Sequence, residues 1–398
     1  MDWIVADTAR AANAKALAIR TLLAQASADG NLWHDLGKRL MQAGQANDAA
    51  KALREAVRRL PGDSRTRLSL AGALLRSDEY AEALAATQDA LRLVPDDRAA
   101  RTLEFGILVR MGNVEQALAR ADDIGEIDPA NPLLLRLWRD TMHGPAELDV
   151  LLQRCEAILA NAPGNTAATH HQAMTLARRG RDDEARAAMD YEPLVSIVDG
   201  LLPEDYGDLD AFCTVLGGEL LRNPTFVRDS SGRITENVLV SVNLEQPGDK
   251  AVSSLLRRIR RAVDAYATGL LLQAASHPSA ARLAAAQPGS AWLHAWGVIH
   301  RTQGRIKTHF HDSAWLSGVF YVAAPRAGGT GAFGGPLRLG DVDERLAPRH
   351  DPPWRIVDVE PVPGRLILFP AYLPHATAPA AGDGDRICIS FDVIPQAG

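Results

Sequence analysis

The sequence has few cysteines, few aromatic residues, no apolar run long enough to cross a bilayer and no excess of positive charge. Cys155, Cys213 and Cys388 are widely separated and form no CxxC pair, which is typical of a reducing compartment. The N-terminal stretch lacks the basic and apolar regions of a secretory signal. A net charge of −6 gives no electrostatic reason to expect nucleic acid as a partner. We therefore expect a soluble, cytoplasmic protein that binds neither nucleic acid nor membrane.

The first half of the chain carries a regular period of 34 residues. Prolines mark it at Pro61, Pro95, Pro129 and Pro163, and alanines mark it at Ala49, Ala83 and Ala117. Such a period predicts a stack of identical helix–turn–helix units, in which the small residues let two helices approach and the proline ends the second one.

The stretch NLWHDLGKRLMQAGQANDAAKALREAVRRLP, residues 31–61, has the residue order of one such unit. It resembles the tetratricopeptide repeat (TPR). We predict an all-α TPR domain at residues 1–189, with about five units that are clearest at 30–163, and a linker at 190–206. The fourth unit departs from the pattern at RDTMHGPAELD. TPR arrays curve into a groove that holds a peptide or another helix, so a peptide or protein partner is expected, and a homodimer is the alternative use of the same surface.

The second half, residues 207–398, loses the 34-residue period. After a long amphipathic helical segment, short β-prone runs punctuated by Gly and Pro begin near residue 290, among them WLSGVFYVAAP, GRLILFP and RICISFDVI. Helices followed by many short strands predict an antiparallel sandwich or small barrel with supporting helices.

Three pieces of this half carry candidate chemistry. His309 and His311 are two apart, so on a strand they share a face, and they either bind a metal or are merely hydrogen-bonded at a strand edge. His375 follows a second apolar strand, and Arg386 begins a third. On that last strand Arg386 shares a face with Ser390, and a buried arginine requires an anionic partner.

The motifs come in a fixed order: HxH ahead of LSGVFYV, then a lone histidine, then an arginine. In this order the sequence resembles the Fe(II)- and 2-oxoglutarate-dependent dioxygenases with a double-stranded β-helix fold. The resemblance covers about residues 290–396. It implies an α+β multidomain protein in which the TPR solenoid precedes a jelly-roll (cupin-like) domain at 207–398. It further implies Fe(II) as the metal, with 2-oxoglutarate and O2 as co-substrates.

Carried over by position, the resemblance implies that His309, His311 and His375 bind the metal. Arg386 would pair with the far carboxylate of 2-oxoglutarate, Tyr321 would donate a hydrogen bond to the same group, and Ser390 is a further candidate. The usual second ligand in this superfamily is Asp or Glu, but this sequence has His311 in that position. Asp312 is therefore the alternative second ligand.

The expected activity is hydroxylation of a peptide or protein side chain that the TPR domain recruits. The alternative is a scaffold or sensor whose oxygenase-like domain acts on a small molecule or is inactive. Two other histidine pairs are assigned no chemistry. His294 and His300 are expected to line a pocket or to be hydrogen-bonded in a strand, with substrate contact as the alternative. His170 and His171 are expected to be solvated.

Overall fold

The computed structural model describes residues 1–4, 9–23, 28–228, 234–241, 244–246, 248–326, 333–342, 351–379, 382 and 384–396. The chain divides into two compact units. One is Val5–Thr141, and the other combines Met1–Ile4 with Met142–Gly398. The division falls inside the RDTMHGPAELD segment, where the sequence departs from its repeat pattern.

The first unit is helical. Its elements are α1 (Ala9–Leu23), α2 (Gly30–Gln42), α3 (Ala46–Arg59), α4 (Ser64–Arg76), α5 (Tyr80–Leu93), α6 (Arg98–Met111), α7 (Val114–Ile127) and α8 (Pro132–Thr141). Successive helices pack against each other as helix–turn–helix pairs. This is the predicted repeat architecture.

The first helix of each pair is capped by an Asp or Asn side chain, and in four of the five cases this residue lies two positions beyond a period-marking proline. These capping residues, which also follow the 34-residue period, are Asp29, Asp63, Asp97, Asn131 and Asn165. Each accepts a hydrogen bond from a free backbone N–H at the start of the helix, which contributes about 1 kcal/mol per cap. Proline therefore ends one helix, and the Asp or Asn after it begins the next.

Small residues set the distance between paired helices. A side chain at Gly37 in α2 would collide with Leu53 of α3, because a Cβ there would lie 2.8 Å from a Leu53 methyl carbon. Leu53, Ala49 and Ala56 of α3 are fully buried. The glycine and the alanines thus allow the close helix approach that the sequence pattern predicted.

Three more helices, α9 (Pro145–Asn161), α10 (Thr166–Arg178) and α11 (Asp182–Met189), belong to the second unit. We predicted them as the end of the repeat domain, and a domain boundary at residue 189 stays a prediction. Residues 190–206, predicted as a linker, contain a 3-10 turn at Glu192–Leu194 and the strand β2 described next.

The second unit also contains the sheet and its supporting helices. The strands are β1 (Asp2–Ile4), β2 (Ser196–Val198), β3 (Phe226–Arg228), β4 (Thr235–Ser241), β5 (Ser290–His309), β6 (Leu316–Ala323), β7 (Leu337–Leu339), β8 (Val357–Val359), β9 (Leu366–Pro370), β10 (His375–Thr377) and β11 (Arg386–Pro395). The helices are α12 (Leu209–Arg222), α13 (Lys250–Gln273) and α14 (Pro278–Ala285).

The sheet is curled and, apart from the parallel β1–β5 pair, antiparallel, as expected of a jelly-roll domain. Its order in the described residues is β2-β9-β6-β11-β5-β10-β7-β8, with β4 also paired to β5. The 20-residue β5 is the centre of this arrangement, because its first half pairs with β11 and its last residues pair with β10. The end of β5 is therefore where strands from different parts of the sequence meet.

The core of this unit lies between the sheet and helices α12 and α13. Phe212 of α12 packs edge-on against Phe320 of β6, with ring centroids 6.4 Å apart, and both are fully buried. No helix in the described part of the chain is both long and apolar enough to cross a membrane.

Candidate metal and cosubstrate site

Three histidines converge where β5 ends. His309 is the last residue of β5 and is paired in register with His375, the first residue of β10. His311 lies two residues beyond the strand, and its backbone N–H donates to the Ala371 carbonyl at 3.1 Å. One ring nitrogen from each histidine lies within 4.8 Å of the other two. The structure therefore brings together the three residues that the sequence predicted as ligands.

Hydrogen bonds orient all three rings in the same way. The Nδ1 atoms of His309 and His375 lie 2.9 Å from the carbonyl oxygens of Lys307 and Leu373, so both nitrogens must carry the hydrogen and donate it. The Nδ1 atom of His311 lies 2.7 Å from a carboxylate oxygen of Asp392. Each ring thus keeps the lone pair of Nε2 for another partner, which is the arrangement of metal-binding histidines in proteins.

The imidazoles of His309 and His375 are neutral near pH 7. Burial, together with the neighbouring His311, lowers the pKa of His309 to about 4. Burial, together with both other histidines, holds the pKa of His375 well below its usual value. Three imidazole nitrogens on one side of a cavity suit a divalent transition metal such as Fe(II), so the donor set fits the predicted ion.

Asp312, the alternative ligand, is not part of the histidine cluster. It is only partly buried, and its carboxylate accepts a hydrogen bond from the Ser313 hydroxyl at 2.8 Å. It is not among the described residues that group as a possible metal site. The alternation of side chains after His309 therefore leaves His311, and not Asp312, facing the other two histidines.

Arg386 is fully buried, at 0% exposure, without a carboxylate partner among the residues described. Its guanidinium donates to the Gly335 carbonyl and, at 2.8 Å, to Nδ1 of His300. Its Nε–H has no hydrogen-bond partner within the described ranges. Burial lowers the pKa of Arg386 and, with the adjacent guanidinium, holds the pKa of His300 well below its usual value. A buried cation with an unused donor is suited to an anionic ligand.

The histidine cluster and Arg386 line the same cavity, which measures about 370 Å³. The predicted residues that line it are His309, His311, His375, Tyr321, Arg386 and Ser390. Most of the other lining side chains are apolar, among them Val298, Val319, Leu337 and Phe369. Burial raises the pKa of Tyr321, so its hydroxyl stays protonated and can donate a hydrogen bond. The cavity therefore combines a metal-type donor set, a cation and a hydroxyl donor within apolar walls.

His300 and Asp392 are polar residues at this site that were not predicted to bind the metal or the co-substrate. His300 lines the cavity, which is one of the placements expected for it, and its Nδ1 accepts a hydrogen bond from Arg386. Asp392 is buried on β11 and contacts His311 and Ser317. A signal for Asp392 was available, because it is six residues from Arg386 and therefore on the same face of the same strand.

The expectation that His170 and His171 are solvated is wrong. Both are buried in α10, and the His170 ring stacks on Phe310, between the two HxH histidines, at a centroid distance of 3.7 Å. Nδ1 of His170 also lies 3.0 Å from the carbonyl of Tyr372, three residues before His375. The hydroxyl of Thr166 donates to Ala314 at 2.6 Å. Helix α10 therefore packs on both of the loops that carry the histidine cluster.

Comparison with known families finds two matching segments. Residues 294–392 match the family described as "Putative 2OG-Fe(II) oxygenase", and residues 40–104 match a tetratricopeptide repeat family. No curated protein matches the chain significantly.

Solved structures resemble separate parts of the chain. A prolyl-4-hydroxylase from Pseudomonas putida is 19% identical, with a TM-score of 0.36, over 51% of this chain and 93% of its own. YrrB, a TPR protein with an unusual peptide-binding site, is 16% identical, with a TM-score of 0.36, over 44% and 90%. MamA from Desulfovibrio magneticus RS-1 is 17% identical, with a TM-score of 0.36, over 40% and 91%. These values are too low to support a statement about activity.

The family matches coincide with the two sets of motifs, the 34-residue repeat and the HxH–His–Arg series. The chain therefore contains a tetratricopeptide repeat region followed by a domain of the 2OG-Fe(II) oxygenase family.

Proposed function

We propose that this chain is an Fe(II)- and 2-oxoglutarate-dependent dioxygenase that hydroxylates a side chain of a peptide or protein recruited by its TPR region. The observation that carries the proposal is the pairing, in one cavity, of three imidazoles with a buried arginine that has no carboxylate partner among the described residues. The first group fits a divalent metal, and the second fits a dianionic co-substrate that also contacts the metal.

Each residue has a separate task in this proposal. His309, His311 and His375 would hold the metal through Nε2. When bound, Fe(II) and 2-oxoglutarate supply the oxidising chemistry that inserts one oxygen atom of O2 into a C–H bond, with release of succinate and CO2. Arg386 would pair with the far carboxylate of 2-oxoglutarate, while Tyr321 would donate its O–H to the same carboxylate.

The apolar walls contribute by excluding water. Charged contacts are stronger where water is excluded, so a carboxylate beside Arg386 gains more there than it would at the surface. Ser390 is on the same face of β11 as Arg386 and also lines the cavity, which supports it as a further donor.

A cavity in the repeat unit supports recruitment of a peptide. It measures about 650 Å³ and has an apolar floor that includes Trp33, Leu36 and Leu40. Its rim is charged, with Lys51 and Glu55 among the side chains of both signs. An apolar floor with a charged rim suits an extended or helical peptide.

The first experiment measures binding and turnover with the full chain. Anaerobic titration is expected to give about one Fe(II) per chain and binding of 2-oxoglutarate that requires the metal. In air, 2-oxoglutarate is expected to give succinate, and peptides co-purifying with the protein are expected to show a +16 Da product. His309→Ala and His375→Ala are each expected to abolish metal binding. Full metal occupancy in both variants would refute the site.

The second experiment tests recruitment. Trp33→Ala is expected to lower modification of the co-purifying peptide while leaving slow succinate formation without peptide unchanged. The matched control is Leu118→Ala, which removes an exposed apolar side chain from α7 of the same unit. If Trp33→Ala modifies its substrate at the full rate, this cavity does not recruit it. A small-molecule substrate then becomes the better hypothesis.

A further inference from the structure

Asp392 is a carboxylate buried in β11 beside the histidine cluster. It is only 8% exposed, its Oδ2 lies 2.7 Å from Nδ1 of His311, and its Oδ1 accepts a hydrogen bond from the Ser317 hydroxyl at 2.7 Å. A buried carboxylate persists only when its oxygens are satisfied, and these two donors satisfy both of them.

The contact makes His311 different from the other two histidines. His309 and His375 donate their Nδ1–H groups to backbone carbonyls, which are neutral. His311 donates to a charged group, and a carboxylate acceptor makes the imidazole a stronger donor through its opposite nitrogen. The cluster therefore contains one imidazole that is electronically distinct from its neighbours.

The charge of the site explains why this difference is useful. A site of two histidines and one carboxylate offers a divalent metal one negative charge, whereas three neutral imidazoles offer none. The carboxylate of Asp392 restores that charge one imidazole away from the metal position. The two groups are 81 positions apart in sequence. They meet because β6, which begins five residues after His311, pairs with β11 and places Ser317 opposite Asp392.

We propose that Asp392 is a positioning residue for the metal site, acting through His311 as a displaced equivalent of the missing carboxylate ligand. Strand β11 then contributes two residues to the site from the same face. Arg386, at its beginning, binds the co-substrate, and Asp392, near its end, orients and polarises a metal ligand. This inference rests on the metal site of the proposed function.

The test uses the full chain and Co(II) alone, with affinity and visible absorption spectrum as readouts. Asp392→Asn keeps the shape and removes the charge. It is expected to weaken Co(II) binding by about 10- to 100-fold, as for other carboxylate partners of metal-bound histidines, and to shift the visible bands. Ser317→Ala, which keeps the carboxylate but removes its second hydrogen bond, is expected to have a smaller effect in the same direction.

Glu219→Gln is the matched control. Glu219 is also a buried carboxylate, but it accepts hydrogen bonds from the first backbone N–H groups of α13. This variant is expected to lower the melting temperature and to leave the affinity and spectrum of Co(II) unchanged. If wild-type protein binds no Co(II), the proposed function fails. If wild type binds and Asp392→Asn matches it, only the role of Asp392 fails. Should Asp392→Asn not fold, an unchanged affinity in Ser317→Ala overturns the role instead.

A double-mutant cycle shows whether Asp392 acts through His311. His311→Asp alone places two carboxylates close together, so it is expected to bind Co(II) more weakly than the double variant H311D/D392N. The substitution D392N thus lowers affinity when residue 311 is histidine and raises it when residue 311 is aspartate. An equal effect in both backgrounds would overturn the inference.

Discussion

Replacing Arg386 by Met tests the co-substrate half of the site. Methionine keeps a long, flexible side chain but removes the charge and every donor. In the metal-free, ligand-free protein the change loses the hydrogen bonds to Gly335 and His300, at about 1–3 kcal/mol each. It also removes a buried guanidinium that has no described carboxylate partner, and that burial costs several kcal/mol. These opposite effects nearly cancel, so we expect little change in the free energy of unfolding.

Binding of 2-oxoglutarate is expected to change far more. Truncating one member of a buried, hydrogen-bonded charge pair costs about 2–5 kcal/mol, which is about a 30- to 4,000-fold increase in Kd. Arg386→Lys keeps the charge but loses the forked geometry of the guanidinium, so its Kd is expected to lie between those of wild type and Arg386→Met.

The assay is calorimetric titration of 2-oxoglutarate into the Mn(II)-loaded protein, with the melting temperature measured in parallel. Wild type is expected to be stabilised by 2-oxoglutarate, and Arg386→Met is not, because ligand stabilisation falls as Kd rises. The control is Arg338→Met on β7, whose guanidinium is half-exposed and pairs with Asp358. A Kd within threefold of wild type for Arg386→Met would refute the reasoning. Loss of Mn(II) along with 2-oxoglutarate would refute it too, since the arginine would then support the fold or the metal.

Three further predictions concern the histidines. His311→Ala is expected to lose Fe(II) in anaerobic titration, whereas Asp312→Ala keeps it, and the opposite result would restore a site with a carboxylate ligand. Because the pKa of His309 is about 4 in the folded protein and about 6.5 when unfolded, the unfolded chain binds more protons between these values. Stability of the metal-free protein is therefore expected to fall as pH drops from 6.5 to 4, and a denaturation midpoint that is flat over this range would contradict the shift. His170→Ala removes the stack on Phe310 and is expected to weaken Co(II) binding, whereas His143→Ala, at an exposed histidine, leaves it unchanged; equal affinities would show that α10 does not support the site.

Much of the fold could be predicted from local patterns. A 34-residue period reports packing between neighbouring helices, and each helix pair needs only nearby residues to form. The end of the array was harder to place, because α9–α11 continue the helical pattern but group with the sheet in the compact unit that starts at Met142. Sequence periodicity predicts whether a segment is a helix or a strand. The elements against which that segment packs depend on side chains far away in the chain.

The candidate site divides in the same way. Five of its residues could be named from the sequence because each stands in a short motif: His309, His311, His375, Arg386 and Tyr321. The structure brings these five residues to one cavity. Their roles in binding stay predictions.

The sequence alone therefore determined which chemical groups are available and which face of each strand they occupy. Only the tertiary structure decided which groups meet. It placed Asp392 against His311 across 81 positions and His170 against the Tyr372 carbonyl across 202. The physical reason is that strand register and helix packing are set by burial of the whole apolar core, so no local pattern in the chain records these pairs.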